Sequence, residues 1–311
     1  MDPLNSSLIN SNNLIPSSLN QNEMNLLIVG GSGSFGAFYA KIFKEERFNV
    51  FITSRHFEKV KEVAKQIQVN AVENPNYLEY DYICLSVPNE SAPSIAKKII
   101  PKMKKGSILF DFCSVKEKIC STFLKFSKKN NVELVSVHPM HGPRINGIKN
   151  QPVAWIDING KTKAQILKDF FIKQQAKVIA TTSEKHDKTL SIVQGLTHYT
   201  MFVSSSVLRE SKQDIEETIL LASPNYKLFL MEMSRIVLQN PALYSEIQIT
   251  NPHNAKIRKL FTSEAKKLEK ICKKKNQEKL SKKITQNAEY FKKGNFLLEE
   301  SDKAVEATSH N

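Results

Sequence analysis

The chain has 311 residues, 41% of them hydrophobic and 24% charged, with a formal net charge of +14. That length accommodates two domains with a substantial core, and the composition is that of an ordinary globular protein, which excludes a disordered chain. No apolar run approaches the roughly 18 residues that a membrane-spanning helix needs.

Residues 1–23 contain no Lys or Arg and only scattered apolar residues. They read as a disordered polar tail, or as an extension upstream of a start at Met24, and not as a signal or transit peptide. From residue 25 to residue 180, short β-branched runs alternate with helical periodicity, which predicts a Rossmann-type doubly wound parallel sheet over 24–181. Strands are expected at 26–29, 50–53, 82–87, 107–111, 133–137, 153–157 and 177–181. After Ser183 the strand signals stop. Helical spacing then predicts an all-α domain over 182–298, with Pro224, Pro241 and Pro252 at helix boundaries. Residues 299–311 read as a frayed polar tail.

Much of the positive charge is local, since residues 256–293 hold 14 Lys and Arg against 4 Glu. Ile257, Leu260, Phe261, Leu268, Ile271, Leu280 and Ile284 recur there at spacings that fit amphipathic helices with a solvated lysine face. No recognition motif favours nucleic acid as a partner. Cys84, Cys113, Cys120 and Cys272 have neither zinc-site spacing nor the density of a disulfide scaffold, so a reducing cytoplasm is expected.

The run Leu26-Leu27-Ile28-Val29-Gly30 leads into Gly31, Ser32, Gly33, Ser34, Phe35 and Gly36, a G-x-G-x-x-G loop between a strand and a helix. In that context Gly31 serves the tight turn, Gly33 the approach of the backbone to a pyrophosphate, and Gly36 the packing of helix on sheet. A helix N-terminus there favours the phosphates. An NAD site normally places Asp or Glu at the end of the second strand, but this chain reads Thr53-Ser54-Arg55-His56, with no carboxylate before Glu58. Ser54 and Arg55 suit a 2′-phosphate, so NADP is favoured over NAD. Ser86, Val87 and Pro88 follow a buried strand and suit the nicotinamide end of the cleft.

Two further segments follow later strands: Asp111-Phe112-Cys113-Ser114-Val115-Lys116 and His138-Pro139-Met140-His141-Gly142-Pro143. Here the chain resembles the prephenate dehydrogenase (TyrA) family, in which a Ser-Val-Lys and a His-Pro-x-x-Gly supply the catalytic serine and histidine. The resemblance continues through Lys185-His186-Asp187, Gly195-Leu196-Thr197-His198-Tyr199, Ser234-Arg235-Ile236, Asn240-Pro241-Ala242-Leu243-Tyr244 and Ile249-Thr250-Asn251-Pro252. It implies NADP-dependent oxidation of prephenate, or of its amino counterpart arogenate, by a homodimer joined through its helical half.

Within the resemblance His138 is the general base, a role its pKa near neutrality suits. Ser114 orients the hydroxyl or the imidazole, and no metal is required. Arg235 matches a carboxylate-binding arginine and His198 a substrate-side histidine. Lys116 is expected to add positive field in the cleft, and Tyr244 stands on the substrate side where many members carry Trp. His141 reads as an exposed loop residue, His186 as a local cap or partner of Asp187, and Cys113 as a small packing residue. Tyr244 and the Met140-His141-Gly142-Pro143 loop look more like the archaeal branch. The competing readings are another Rossmann oxidoreductase, acting on a hydroxyacid or linked to deazaflavin, and a non-catalytic NADP sensor or nucleic-acid binder.

Overall fold

The computed structural model describes residues 24–46 and 48–309. The expected tail over 1–23 lies outside them. The first half alternates strands and helices: β1 (Met24–Val29), α1 (Ser34–Glu45), β2 (Phe48–Thr53), α2 (Phe57–Ile67), β3 (Asn70–Ala71), β4 (Tyr82–Leu85), α3 (Ala92–Ile99), β5 (Ile108–Asp111), α4 (Glu117–Ser127), β6 (Glu133–Pro139), β7 (Pro152–Asp157), α5 (Thr162–Lys173) and β8 (Lys177–Ala180). They form one eight-stranded sheet in the order β3-β2-β1-β4-β5-β6-β7-β8. The strand order reverses between β1 and β4, and the crevice at that switch is where such sheets bind ligands.

The strands are apolar on both faces because helices cover both. Leu26, Ile28, Tyr82, Cys84, Phe110, Val135 and Val137 join Tyr39, Phe43, Phe170 and Phe171 in one core. The intervening residues Leu27, Ile83, Leu85, Leu109 and Leu134 join Ala96, Ile99, Ile119 and Phe123 in the other. Period-two alternation along each strand thus assigns α1 and α5 to one face and α3 and α4 to the opposite one.

All seven expected strands form, and the structure differs in two details. β7 runs antiparallel to β6, since the segment between them has no crossover helix to return the chain in the same sense. The two-residue edge strand β3 adds a pairing to β2 that the sequence pattern did not suggest.

The second half is helical throughout: α6 (Ser183–Leu190), α7 (Thr197–Ser211), α8 (Ile215–Leu220), α9 (Pro224–Val237), α10 (Pro241–Thr250), α11 (Asn254–Lys273), α12 (Gln277–Phe291) and α13 (Phe296–Ser309). Pro224 and Pro241 each open a helix. Ser223 caps the first by accepting from the Tyr226 amide, and Asn240 caps the second by accepting from the Ala242 amide. Pro252 lies in the link from α10 to α11. A π-helical turn over Ser191–Leu196 joins α6 to α7. The frayed end expected from Glu299 is corrected: α13 continues through Ser309 and packs against α9. No helix among the described residues is long and apolar enough to cross a membrane.

Candidate active site

The glycine loop sits at the C-terminal end of β1, beside the ends of β2 and β4. Its tight turn falls at Gly30 and not at Gly31: Gly30 has φ +87°, and a Cβ there would lie 2.1 Å from the Ser86 carbonyl oxygen. Gly31 instead packs against Ile52, which a Cβ would approach to 2.5 Å. A Cβ on Gly36 would come within 2.6 Å of the Gly30 oxygen, so this position needs glycine for the close approach of α1 to the loop. At Gly33 a Cβ meets only that same oxygen, at 3.3 Å, and the outer side is open. The first intrahelical bond runs from Ala37 to the Gly33 carbonyl at 2.8 Å, which leaves the amides of Ser34, Phe35 and Gly36 ahead of it. No acidic residue occupies that first turn. These residues fit a dinucleotide pyrophosphate.

Ser32 Oγ lies 2.8 Å from Ser54 Oγ, which ties the glycine loop to the end of β2. Arg55 follows with its side chain exposed, Ser86 and Val87 border the loop from the end of β4, and Pro88 follows them in the chain.

Asn89, just beyond, organises the serine segment. Its Oδ1 accepts from the amides of Ser114 at 2.8 Å and Val115 at 3.2 Å. Ser114 is half-buried in that turn. Two residues on, the structure departs from expectation. Lys116 does not face the cleft. Its side chain is 0% exposed, and its ammonium bonds Asp111 Oδ1 and the Val137 carbonyl, both at 2.7 Å. Ser136 Oγ donates to the other Asp111 oxygen at 2.5 Å. Lys116 is thus one half of a sealed ion pair beneath the site, where an unpaired charge would be prohibitive. Burial, with the Asp111 charge beside it, pushes the Cys113 thiol well above its ordinary range, in keeping with a packing role.

His138, near the end of β6, is buried. Its Nδ1 lies 2.9 Å from His186 Nε2, and His186 Nδ1 lies 2.7 Å from Asp187 Oδ1. His186 does pair with Asp187 as expected, but it also reaches the catalytic candidate. Burial, and then the charges of His186, Lys116 and His141, hold the His138 pKa well below the usual histidine value. His138 Nε2 has no hydrogen-bond partner among the described residues.

His141, expected as an exposed loop residue, is half-buried against α1. Its Nε2 lies 2.9 Å from the Tyr39 hydroxyl, and its ring packs on Phe35 and Phe38. The loop after β6 is thereby fastened to α1.

The helical half supplies a second group. His198 on α7 is buried with no partner for its Nδ1 among the described residues, and its ring meets Tyr244 of α10 edge-on at 5.0 Å. Burial raises the Tyr244 hydroxyl pKa, against the opposing fields of Arg235 and Arg144. Both arginines are exposed, Arg235 on α9 and Arg144 in the loop after β6. His186, which meets His138, Asn89, which holds the Ser114 turn, and Arg144, whose field reaches Tyr244, were missed as site residues. Only the Lys185-His186-Asp187 match carried any signal for the first.

Two family models match the chain: "Prephenate dehydrogenase, nucleotide-binding domain" over residues 39–197 and "Prephenate dehydrogenase, dimerization domain" over residues 182–286. A probable arogenate/prephenate dehydrogenase from Methanocaldococcus jannaschii is 32% identical over 91% of this chain and 65% of its own length, so the chain spans less than two thirds of that relative. Among solved structures, prephenate dehydrogenase from A. aeolicus in complex with hydroxyphenyl propionate and NAD+ has a TM-score of 0.69 at 20% identity, covering 87% of this chain and 97% of that one. Synechocystis arogenate dehydrogenase has a TM-score of 0.65 at 18% identity, covering 87% and 99%. These likenesses carry the same fold across both halves. With a dinucleotide cradle at the switch point, and family models that together run from α1 into α12, the chain belongs to the prephenate dehydrogenase family.

Proposed function

We propose that the protein catalyses NADP-dependent oxidative decarboxylation of prephenate to 4-hydroxyphenylpyruvate, working as a homodimer through its helical half. The observation that carries this reading is His138: a buried imidazole whose pKa is held well below the usual histidine value by burial, with no described partner at Nε2, at the C-terminal edge of the sheet that holds the dinucleotide cradle. Arogenate is the second reading, because the archaeal relative's name covers both substrates.

When bound, the dinucleotide supplies a hydride acceptor. The first turn of α1 holds its pyrophosphate, and Ser54 with Arg55 takes a ribose 2′-phosphate, to which a serine hydroxyl donates and a guanidinium pairs. The absence of a carboxylate from Thr53 to Phe57 supports NADP over NAD. His138 Nε2 accepts the substrate hydroxyl proton, and Ser114 orients that hydroxyl. Arg235 pairs with a substrate carboxylate, with His198 and Tyr244 lining the same side. Exposed Leu220, Leu221, Leu238 and Ile249, along and just beyond α8, α9 and α10, support burial of this half against a second copy.

The test is a two-by-two assay of prephenate and arogenate against NADP and NAD. Reduced-cofactor absorbance should be strongest with prephenate and NADP. Silence in all four combinations would remove the assignment, and a dominant arogenate or NAD arm would replace its corresponding half.

A further inference from the structure

The hydrogen bonds behind His138 decide which of its nitrogens carries the proton. Asp187 accepts at both oxygens from backbone amides: from Lys116 at 2.8 and 3.0 Å and from Glu117 at 2.9 Å, at the N-terminus of α4. A carboxylate so engaged is an acceptor, so the proton between Asp187 and His186 resides on His186 Nδ1. A neutral imidazole has one N–H, which leaves His186 Nε2 as a lone pair. The proton between the two rings therefore belongs to His138 Nδ1, and the lone pair lies on His138 Nε2, which bonds no described residue. The chain is closed at its far end: His138 is 4%, His186 3% and Asp187 0% exposed.

We propose that His186 and Asp187 are positioning residues that lock His138 in its Nδ1–H tautomer, and that this sealed chain stores the substrate's hydroxyl proton and returns it within one turnover. The proposal rests on the reaction assigned above, whose proton balance calls for such a store. The ring carbon gives up its hydrogen with the electron pair to the oxidised nicotinamide, and the hydroxyl proton passes to His138 Nε2. When the bond to the ring carboxylate breaks, carbon dioxide leaves. The electron pair enters the ring, reaches the oxygen, and takes the proton back as a phenol. No proton is gained or lost overall, so the base needs no exit to solvent. While His138 is charged, its Nδ1–H still donates to His186, and Asp187 balances the charge through that ring. The other groups facing His138 are Lys116, neutralised by Asp111 on β5, and His141 from the loop after β6.

Nitrogen-15 NMR of histidine-labelled protein reads the tautomers without turnover. At neutral pH both His138 and His186 should carry the proton on Nδ1. In Asp187→Asn the amide oxygen must serve the α4 amides, which turns the NH2 toward His186. Both tautomers should then invert, and kcat should fall by about 10²- to 10⁴-fold with KM little changed. His186→Gln keeps an oxygen acceptor for His138 Nδ1 and should retain kcat to within about tenfold, whereas His186→Leu should not. An Nε2–H tautomer of His138 in the wild type, or an Asp187→Asn variant with unchanged tautomers and rate, would overturn the lock. A burst of protons into an indicator dye, equal to the enzyme present, would overturn the store. A wild type with these tautomers that turns over neither substrate would keep the lock and overturn the reaction assignment instead.

Discussion

Glu246 of α10 reaches across to Asn89 of the sheet domain: its carboxylate accepts from the Asn89 side-chain amide at 3.1 Å and from the Glu90 backbone amide at 2.8 Å. Because Asn89 also holds the Ser114 and Val115 amides, the contact ties the helical half to the serine turn. Glu246→Ala leaves the buried Asn89 amide without its acceptor and should cost about 1–3 kcal/mol, read from urea unfolding. It should also lower kcat. Unchanged values of both would mean that the serine turn holds itself.

His138→Asn should lower kcat by about 10²- to 10⁴-fold with KM nearly constant, as expected when a proton acceptor is removed. Arg235→Ala should instead act mainly on KM for the substrate. Steady-state kinetics separates the two, and a pure kcat effect at Arg235 would exclude it as the carboxylate clamp.

Cofactor preference should be portable in two positions. Exchanging Ser54 for Asp and Arg55 for Ile removes the donors for a 2′-phosphate and adds an acceptor for a ribose hydroxyl. The ratio of kcat/KM for NADP over NAD should fall by about 10- to 100-fold, the scale of one or two charge-assisted hydrogen bonds.

Lys116→Met strands the Asp111 charge in a fully buried setting and should destabilise the protein by about 3–5 kcal/mol. Adding Asp111→Asn should recover part of this. A folded Lys116→Met protein with normal stability and a raised substrate KM would return Lys116 to the cleft.

Burial pushes the His198 pKa down to about 4. Between that value and the ordinary 6.5, the unfolded chain binds more protons than the folded one, so this group makes stability fall as pH drops from about 6.5 toward 4, by up to about 3 kcal/mol. His198→Gln should remove that share of the slope. Urea midpoints at a series of pH values for the two proteins test it, and parallel curves would show that His198 does not titrate in this way.

The fold was legible because its signals are local. The strand from Leu26 to Val29, the glycines after it and the helix-opening Pro224 and Pro241 each act through backbone geometry within a few residues. The direction of β7 was not, since a linker without a helix says only that no crossover exists. The last helix was misread as a polar tail because its order comes from packing on α9, not from its own composition.

At the site the same division holds. The sequence by itself determined the glycine loop between β1 and α1, the missing carboxylate after β2, and the presence of Ser114, His138 and Arg235 in a family order, because short-range chemistry and motif spacing carry them. Only the tertiary structure decided that Lys116 turns inward to Asp111 and that His186, 48 residues after His138, stands behind it with Asp187. The physical reason is that a side chain's charge state and tautomer depend on burial and on partners that meet only when distant segments pack together.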